Sequence, residues 1–179
     1  MKPLRSLLTA VIVVGLAAPI LAPPASAVLP LCRAVSKGGM SRASSALSAY
    51  NAGRYTVAFH RFRGLAEGGN PYAQNHLAIM YNRGIGVPRN YRIAAEWWER
   101  AAQNGQITAQ CNLGMMYLYG QGVPQDDVLA YAYFSLAAAR GSRDARRRMD
   151  MMEAWRISRV ERAEAQELTD QWLNGNFSK

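Results

Sequence analysis

Apolar and small residues recur at helical spacing once the chain passes Ser41. Ala43, Ala46, Leu47 and Tyr50 follow the i, i+3, i+4, i+7 rhythm of one helical face. Asn51 to Gly53 closes that segment, and Tyr55, Ala58, Phe62, Leu65 and Ala66 share one side of a second. A third stripe is made by Ala73, Leu77, Met80 and Tyr81, and a fourth by Ala94, Trp97 or Trp98, and Ala101. The residues between the stripes have definite jobs. Asn70 can cap a helix whose first position, Pro71, needs no hydrogen-bond donor. Gly84 can end that helix in the left-handed region. Gly86 permits a tight return, Val87 can plug the space between the two helices, and Pro88 keeps the first helix from resuming. Asn90 caps the return helix and Gly105 ends it. The pattern predicts helical hairpins.

The hairpin from Gly69 to Ala102 then reappears 36 positions later. Gly69, Ala73, Leu77, Tyr81, Gly84, Gly86, Val87 and Pro88 map onto Gly105, Ala109, Leu113, Tyr117, Gly120, Gly122, Val123 and Pro124. Ala94, Trp98, Ala101 and Ala102 map onto Ala130, Phe134, Ala137 and Ala138. A fixed period of this length marks stacked units that share a core, so the expected fold is an all-α array of antiparallel helix pairs. Residues 41–68 read as a degenerate first repeat, because Ala58, Phe62 and Ala66 keep the offset to Ala94, Trp98 and Ala102. Full repeats span 69–104 and 105–140. Residues 141–174 read as a partial repeat followed by a cap: Ala145 and Met149 hold the register, but no Gly-x-Gly-Val turn follows them. Ser158 and Glu161 form a capping box instead. The helix they open is expected to turn Val160, Ala163, Leu168 and Trp172 to the core and to close the array.

These residues resemble the Sel-one-like repeat family, a relative of the tetratricopeptide repeat. The family pattern reads here as Ala73-Gln74-x-x-Leu77, Tyr81-x-x-Gly84-x-Gly86-Val87-Pro88-x-Asn90, and Ala94-x-x-Trp97-x-x-x-Ala101-Ala102-x-x-Gly105. It reads again as Ala109-Gln110-x-x-Leu113, Tyr117-x-x-Gly120-x-Gly122-Val123-Pro124-x-Asp126, and Ala130 to Gly141. The resemblance implies a right-handed α/α superhelical solenoid that binds proteins or peptides on its concave surface. Ala78 departs from the glycine at Gly114, which implies slightly wider helix packing there. If the first helix of each pair lines the concave face, the candidate partner-binding residues are Tyr72, Asn75, His76, Ile79 and Arg83. The repeat offset adds Thr108, Cys111, Asn112, Met115 and Tyr119. His76, which maps to Asn112, is expected to be an exposed polar position.

The amino terminus carries a different message. Lys2 and Arg5 precede an apolar run from Leu7 to Leu21, and Ala25-Ser26-Ala27 supplies small residues for cleavage. Residues 1–27 therefore read as an export signal, with an uncleaved anchor as the alternative. Leu29-Pro30-Leu31 before Cys32 lacks the small residue a lipoprotein signal needs. Residues 28–40 read as a flexible lead-in. Export places the protein in the periplasm or outside the cell, and makes a single bridge between Cys32 and Cys111 chemically allowed without showing that it forms.

Charge adds less. The chain carries a formal net charge of +9. Arg140, Arg143, Arg146, Arg147 and Arg148 form a cluster interrupted by Asp144, which reads as a solvated helical face or a weak contact for an anionic surface. A nucleic-acid partner does not fit an exported protein. Catalytic constellations are equally sparse: His60 and His76 are the only histidines, so no metal site is expected. No cofactor is implied. Exported relatives have been linked to penicillin binding and β-lactamase activity, yet no Ser-x-x-Lys occurs in this chain. The expected function is an exported, non-enzymatic adaptor that binds a protein or peptide of the cell envelope. The alternative is an envelope enzyme or binder acting on cell-wall material or β-lactams.

Overall fold

The computed structural model describes residues 43–175 and 177. Among them are eight α-helices: α1 (Ser44–Asn51), α2 (Tyr55–Glu67), α3 (Pro71–Arg83), α4 (Tyr91–Gln103), α5 (Ile107–Tyr119), α6 (Asp127–Ala139), α7 (Arg143–Trp155) and α8 (Arg159–Leu173). They pack as consecutive pairs, each helix lying against the next from α1 to α7, so the expected all-α fold of stacked hairpins is the fold observed. The export signal expected at 1–27 and the lead-in at 28–40 lie outside the described residues. No described helix is long and apolar enough to cross a membrane.

The punctuating residues act as their chemistry requires. The Asn70 side chain accepts from the Ala73 amide, with Pro71 in the first turn, and Asn90 accepts from Ile93. Asp126 repeats the arrangement with Leu129 one unit later. Each cap satisfies an amide that the helix itself leaves without a partner. Gly84 and Gly120 close α3 and α5 in the left-handed region. Ser158 and Glu161 form the anticipated capping box.

Two periodic contacts hold one hairpin on the previous one. The first is an approach of backbone to backbone. A Cβ placed on Gly86 would stand 2.8 Å from the carbonyl carbon of Tyr55, and one on Gly122 would stand 2.4 Å from that of Tyr91. Both glycines also have positive φ, 72° and 74°. The second glycine of each turn is thus required twice over, by its dihedral angle and by the first residue of the preceding return helix. The second contact is a buried hydrogen bond. Gln74 donates its side-chain amide to the Ala66 carbonyl at 3.1 Å, and Gln110 donates to Ala102 at 3.0 Å. The glutamine of the Ala-Gln pair therefore reaches the carboxyl end of the preceding return helix, where carbonyls lack intrahelical partners.

Small residues set the spacing inside each hairpin. Ala73, Ala94, Ala101 and Ala102 are wholly buried, as are Leu77, Trp98 and Phe134. Removing a buried ring of this size costs about 3–5 kcal/mol. A Cβ on Gly114 would come within 2.8 Å of the Phe134 ring, whereas Ala78, its equivalent beside Trp98, is accommodated without exposure. Trp98 rather than Trp97 is the buried member of that pair. Trp97 is partly buried and carries the Arg100 guanidinium 4.6 Å above its ring.

α8 departs from the expected arrangement. It lies against α6, with Ala165, Thr169 and Trp172 buried and the Thr169 hydroxyl 3.3 Å from the Ala132 carbonyl. Val160 is 78% exposed and Ala163 is also open to solvent, so neither faces the core. The buried face runs i, i+4, i+7 from Ala165, and Val160 falls off that line. Tyr133 and Trp172 complete the contact with ring centroids 4.6 Å apart.

The backbone contact at Gly122 makes a sharp test. Gly122→Ala should lower stability by roughly 2–5 kcal/mol, combining left-handed strain and a clash with Tyr91. Gly141→Ala, at φ 93° with no atom within 4 Å of the added Cβ, should cost only about 1–2 kcal/mol. Denaturant unfolding of the two variants measures the difference, and equal losses would show that the close approach contributes nothing.

Candidate partner-binding site

The first helices of the pairs, α3, α5 and α7, carry the positions expected to meet a partner. On α3 they are unevenly open. Arg83 is exposed, Tyr72 and Ile79 are partly buried, and Asn75 is buried, where its side-chain oxygen accepts from the Trp98 indole at 3.0 Å. His76 is not the exposed polar group anticipated. Its ring stacks on Phe62 at 4.8 Å with an interplanar angle of 4°, and Tyr72 lies 4.5 Å away. Burial among these rings disfavours the charged imidazole and lowers its pKa from 6.5 to about 4.

On α5 the expectation of an open face fails. α5 packs between α4 and α6, and its side chains are buried without a break from Thr108 to Leu118. Thr108, Asn112 and Met115 are 6%, 1% and 1% exposed, and of the α5 candidates only Tyr119, at the end of the helix, stays partly open. The repeat offset transfers helical phase from α3 to α5, but it does not transfer accessibility, because α5 is the central helix of the array. Cys111 is wholly buried and carries no free thiol. Cys32, named with it as the allowed bridge, lies outside the described residues.

Carrying the same register one unit further brings out residues that the sequence reading left unconnected. Asn112, Met115 and Tyr119 map onto Arg148, Met151 and Trp155 of α7. Met151 is 64% and Trp155 85% exposed, an unusual state for such large apolar side chains. They flank a cleft of about 240 Å³ whose opposite wall is Leu118 and Tyr119 at the end of α5. Met152 and Arg148 complete the lining from α7. Arg156 closes one end: its Nε lies 2.8 and 2.9 Å from the two Asp127 carboxylate oxygens, and its terminal nitrogen donates to the Leu118 carbonyl. This strap ties the end of α7 to the start of α6 and the end of α5. The sequence held the register of α7 through Ala145 and Met149, but the candidate face was carried only from α3 to α5 and not one unit further.

A second, polar hollow lies between α6, α7 and α8, lined by Tyr131, Glu153, Arg159, Arg162, Ala163 and Gln166. Three of its groups satisfy one another. Glu153 accepts from the Tyr131 hydroxyl and pairs with Arg162 at 3.0 Å, bridging α7 to α8. That network holds the closing helices in place. Among the described residues no group of three His, Cys, Asp or Glu side chains could hold a metal ion.

Tandem helix pairs with an apolar cleft on the face of their first helices define a helical-repeat protein. The Sel1 repeat model matches residues 71–106 and 107–142, the α3–α4 and α5–α6 hairpins. Among solved structures, the chain is similar to a protective antigen of uropathogenic Escherichia coli strains displaying an SLR fold. That match has 26% identity and a TM-score of 0.72, over 78% of this chain and 31% of the other. It is similar also to a Sel1 repeat protein from Oxalobacter formigenes, at 28% identity and a TM-score of 0.61, over 75% of this chain and 54% of that one. The chain thus spans about a third of the first and about half of the second. No curated protein matches it. The chain is a Sel1-like repeat protein, and such repeats typically mediate protein interactions.

The aromatic seat of His76 has a measurable consequence. The folded state holds the imidazole neutral, while the unfolded chain binds a proton below its ordinary pKa of 6.5. The stabilisation is therefore complete above pH 6.5 and is lost as pH falls toward 4, to a limit of about 3 kcal/mol. Unfolding free energies of the native chain and of His76→Phe across that window should diverge, the variant losing less on acidification. Parallel curves would remove His76 as the cause.

Proposed function

We propose that this protein is an exported, non-enzymatic adaptor that binds a protein or peptide of the cell envelope on the face formed by α3, α5 and α7. One observation carries the reading. Along that face the side chains of α5 are partly or wholly buried, and the face then opens at the α5–α7 cleft, where Met151 and Trp155 stand exposed over an apolar floor. Large apolar groups left in water beside a concavity are the signature of an interaction site, and methionine and tryptophan suit one because they offer adaptable or extensive contact area. Export to the periplasm or the exterior is supported by the basic start, apolar run and Ala25-Ser26-Ala27 of residues 1–27. The non-enzymatic part is supported by the lack of a Ser-x-x-Lys motif and of a histidine pair at metal spacing in the sequence.

Affinity capture from an envelope extract tests it. The native chain should retain specific partners, and Met151→Glu or Trp155→Ala should lose them while leaving the thermal midpoint unchanged, because both side chains are already solvated. Retention of the same partners by all three forms would move binding away from the cleft.

A further inference from the structure

We propose that Cys111 is joined to Cys32, and that this bridge lays residues 33–42 across α3 and onto α5 as a built-in occupant of the candidate face. The inference stands apart from the adaptor reading and concerns what fills the middle of that face. Cys111 is disulfide-bonded and wholly buried, about one turn into α5. The chain holds one other cysteine, Cys32, so a bridge within the chain can join only these two. Its formation needs an oxidising compartment, in keeping with the export signal read at residues 1–27.

Burial along the face has its peak at the bridged residue. Thr108, Cys111, Asn112 and Met115 stand at i, i+3, i+4 and i+7 on one side of α5, and all four are buried. α4 and α6 take other sides of the helix: Gln110 reaches back to the Ala102 carbonyl, and Gly114 meets the Phe134 ring. On α3 the equivalents of Thr108, Asn112 and Met115 are Tyr72, His76 and Ile79, and each is only partly buried. On α7 the equivalents of Cys111 and Met115, Arg147 and Met151, are exposed. A cover centred on Cys111, thinner over α3 and ending before α7, produces that gradient.

The path is short enough for the chain to follow. First helices of successive pairs run parallel, so Ala43, just before α1, lies toward the same end of the array as Cys111. In that row only α3 separates α1 from α5, a span of about 20 Å at the usual spacing of packed helices. From Cys32 to Ala43 the chain takes 11 residue steps, which extend to at most about 36–40 Å. The segment can therefore cross α3 near Tyr72 and Asn75 with slack for a turn at Gly38-Gly39. Leu31, Ala34 and Val35, close to Cys32 in sequence, supply apolar groups to meet Met115. The amides and carbonyls of an extended segment suit the side chains of Thr108 and Asn112. A partner is then left the open α7 end of the face, not its middle.

Digestion of the full chain without reductant should yield a linked pair of peptides holding Cys32 and Cys111. A free Cys111 thiol, or a covalent dimer formed through it, would overturn the proposal. Lys37 is the only lysine between Lys2 and Lys179, so an amine-directed photoreactive probe can be placed on the segment itself. On irradiation it should insert into α3 and α5, and insertion elsewhere alone, or none, would overturn the path. In Cys32→Ser, peroxide should oxidise Met115 at a rate approaching that of exposed Met151. Met116, whose sulfur lies 3.9 Å from the Asn82 side-chain amide, should stay protected. Continued protection of Met115 would show that the neighbouring helices close the face by themselves. Oxidation of Met115 and Met116 together would show that the bridge holds the fold instead of covering a face. Either result overturns the proposal. None of these measurements involves a partner, so the adaptor reading stands or falls separately.

Discussion

The stacking of these helices depends on two places where backbone meets backbone without a side chain between. Gly86 sits on Tyr55 at the start of α2, and Gly122 sits on Tyr91 at the start of α4, each too close for a Cβ. Because both contacts join the turn of one hairpin to the first residue of the return helix before it, they set the translation from unit to unit. The side chains can pack only after that distance is fixed. Gln74 and Gln110 then reach carbonyls of the preceding return helix, and the buried alanines let the helices close around Trp98 and Phe134. A buried glutamine would be a liability without its partner, so these two bonds also penalise any other register.

The array is not uniform along its length, and the reason lies in how it ends. In its middle, α5 has a neighbour on each side and its side chains are almost wholly buried. At its end, α8 does not continue the pattern but turns back onto α6, through Thr169 and Trp172. α7 is therefore covered on the side that meets α6, at Ala145 and Met152, and left open on the side that carries Met151 and Trp155. The Arg156 strap and the Glu153–Arg162 bridge hold the carboxyl end of α7 in that position, one toward α6 and the other toward α8. The cleft is thus a product of termination. An array that added another regular hairpin would have covered those residues or placed them in a continuing wall.

Much of this was legible from the residue order. The helix starts at Asn70, Asn90, Asp126 and Ser158, the turn glycines, the alanine and tryptophan positions and the unit length all follow from local rules, because caps, turns and helical faces are decided within a few residues of one another. The residues of the candidate site were legible only in part. Tyr119 was placed on the right face and does line the cleft, but Asn75, Thr108, Asn112 and Met115 were assigned to an open surface and are buried. Met151 and Trp155 were not placed on the candidate face, which was carried from α3 to α5 but not on to α7.

The difference has a physical cause. Periodicity reports which side chains share a direction on a helix, and the chain by itself therefore determined the hairpins, their spacing and the face on which candidates fall. Exposure along that face depends on how many neighbours each helix has and on where the last helix comes to rest. Those are long-range contacts, such as Thr169 with Ala132 and Arg156 with Asp127, and no local pattern encodes them. Only the assembled structure decided that the middle of the face is closed and its end is open.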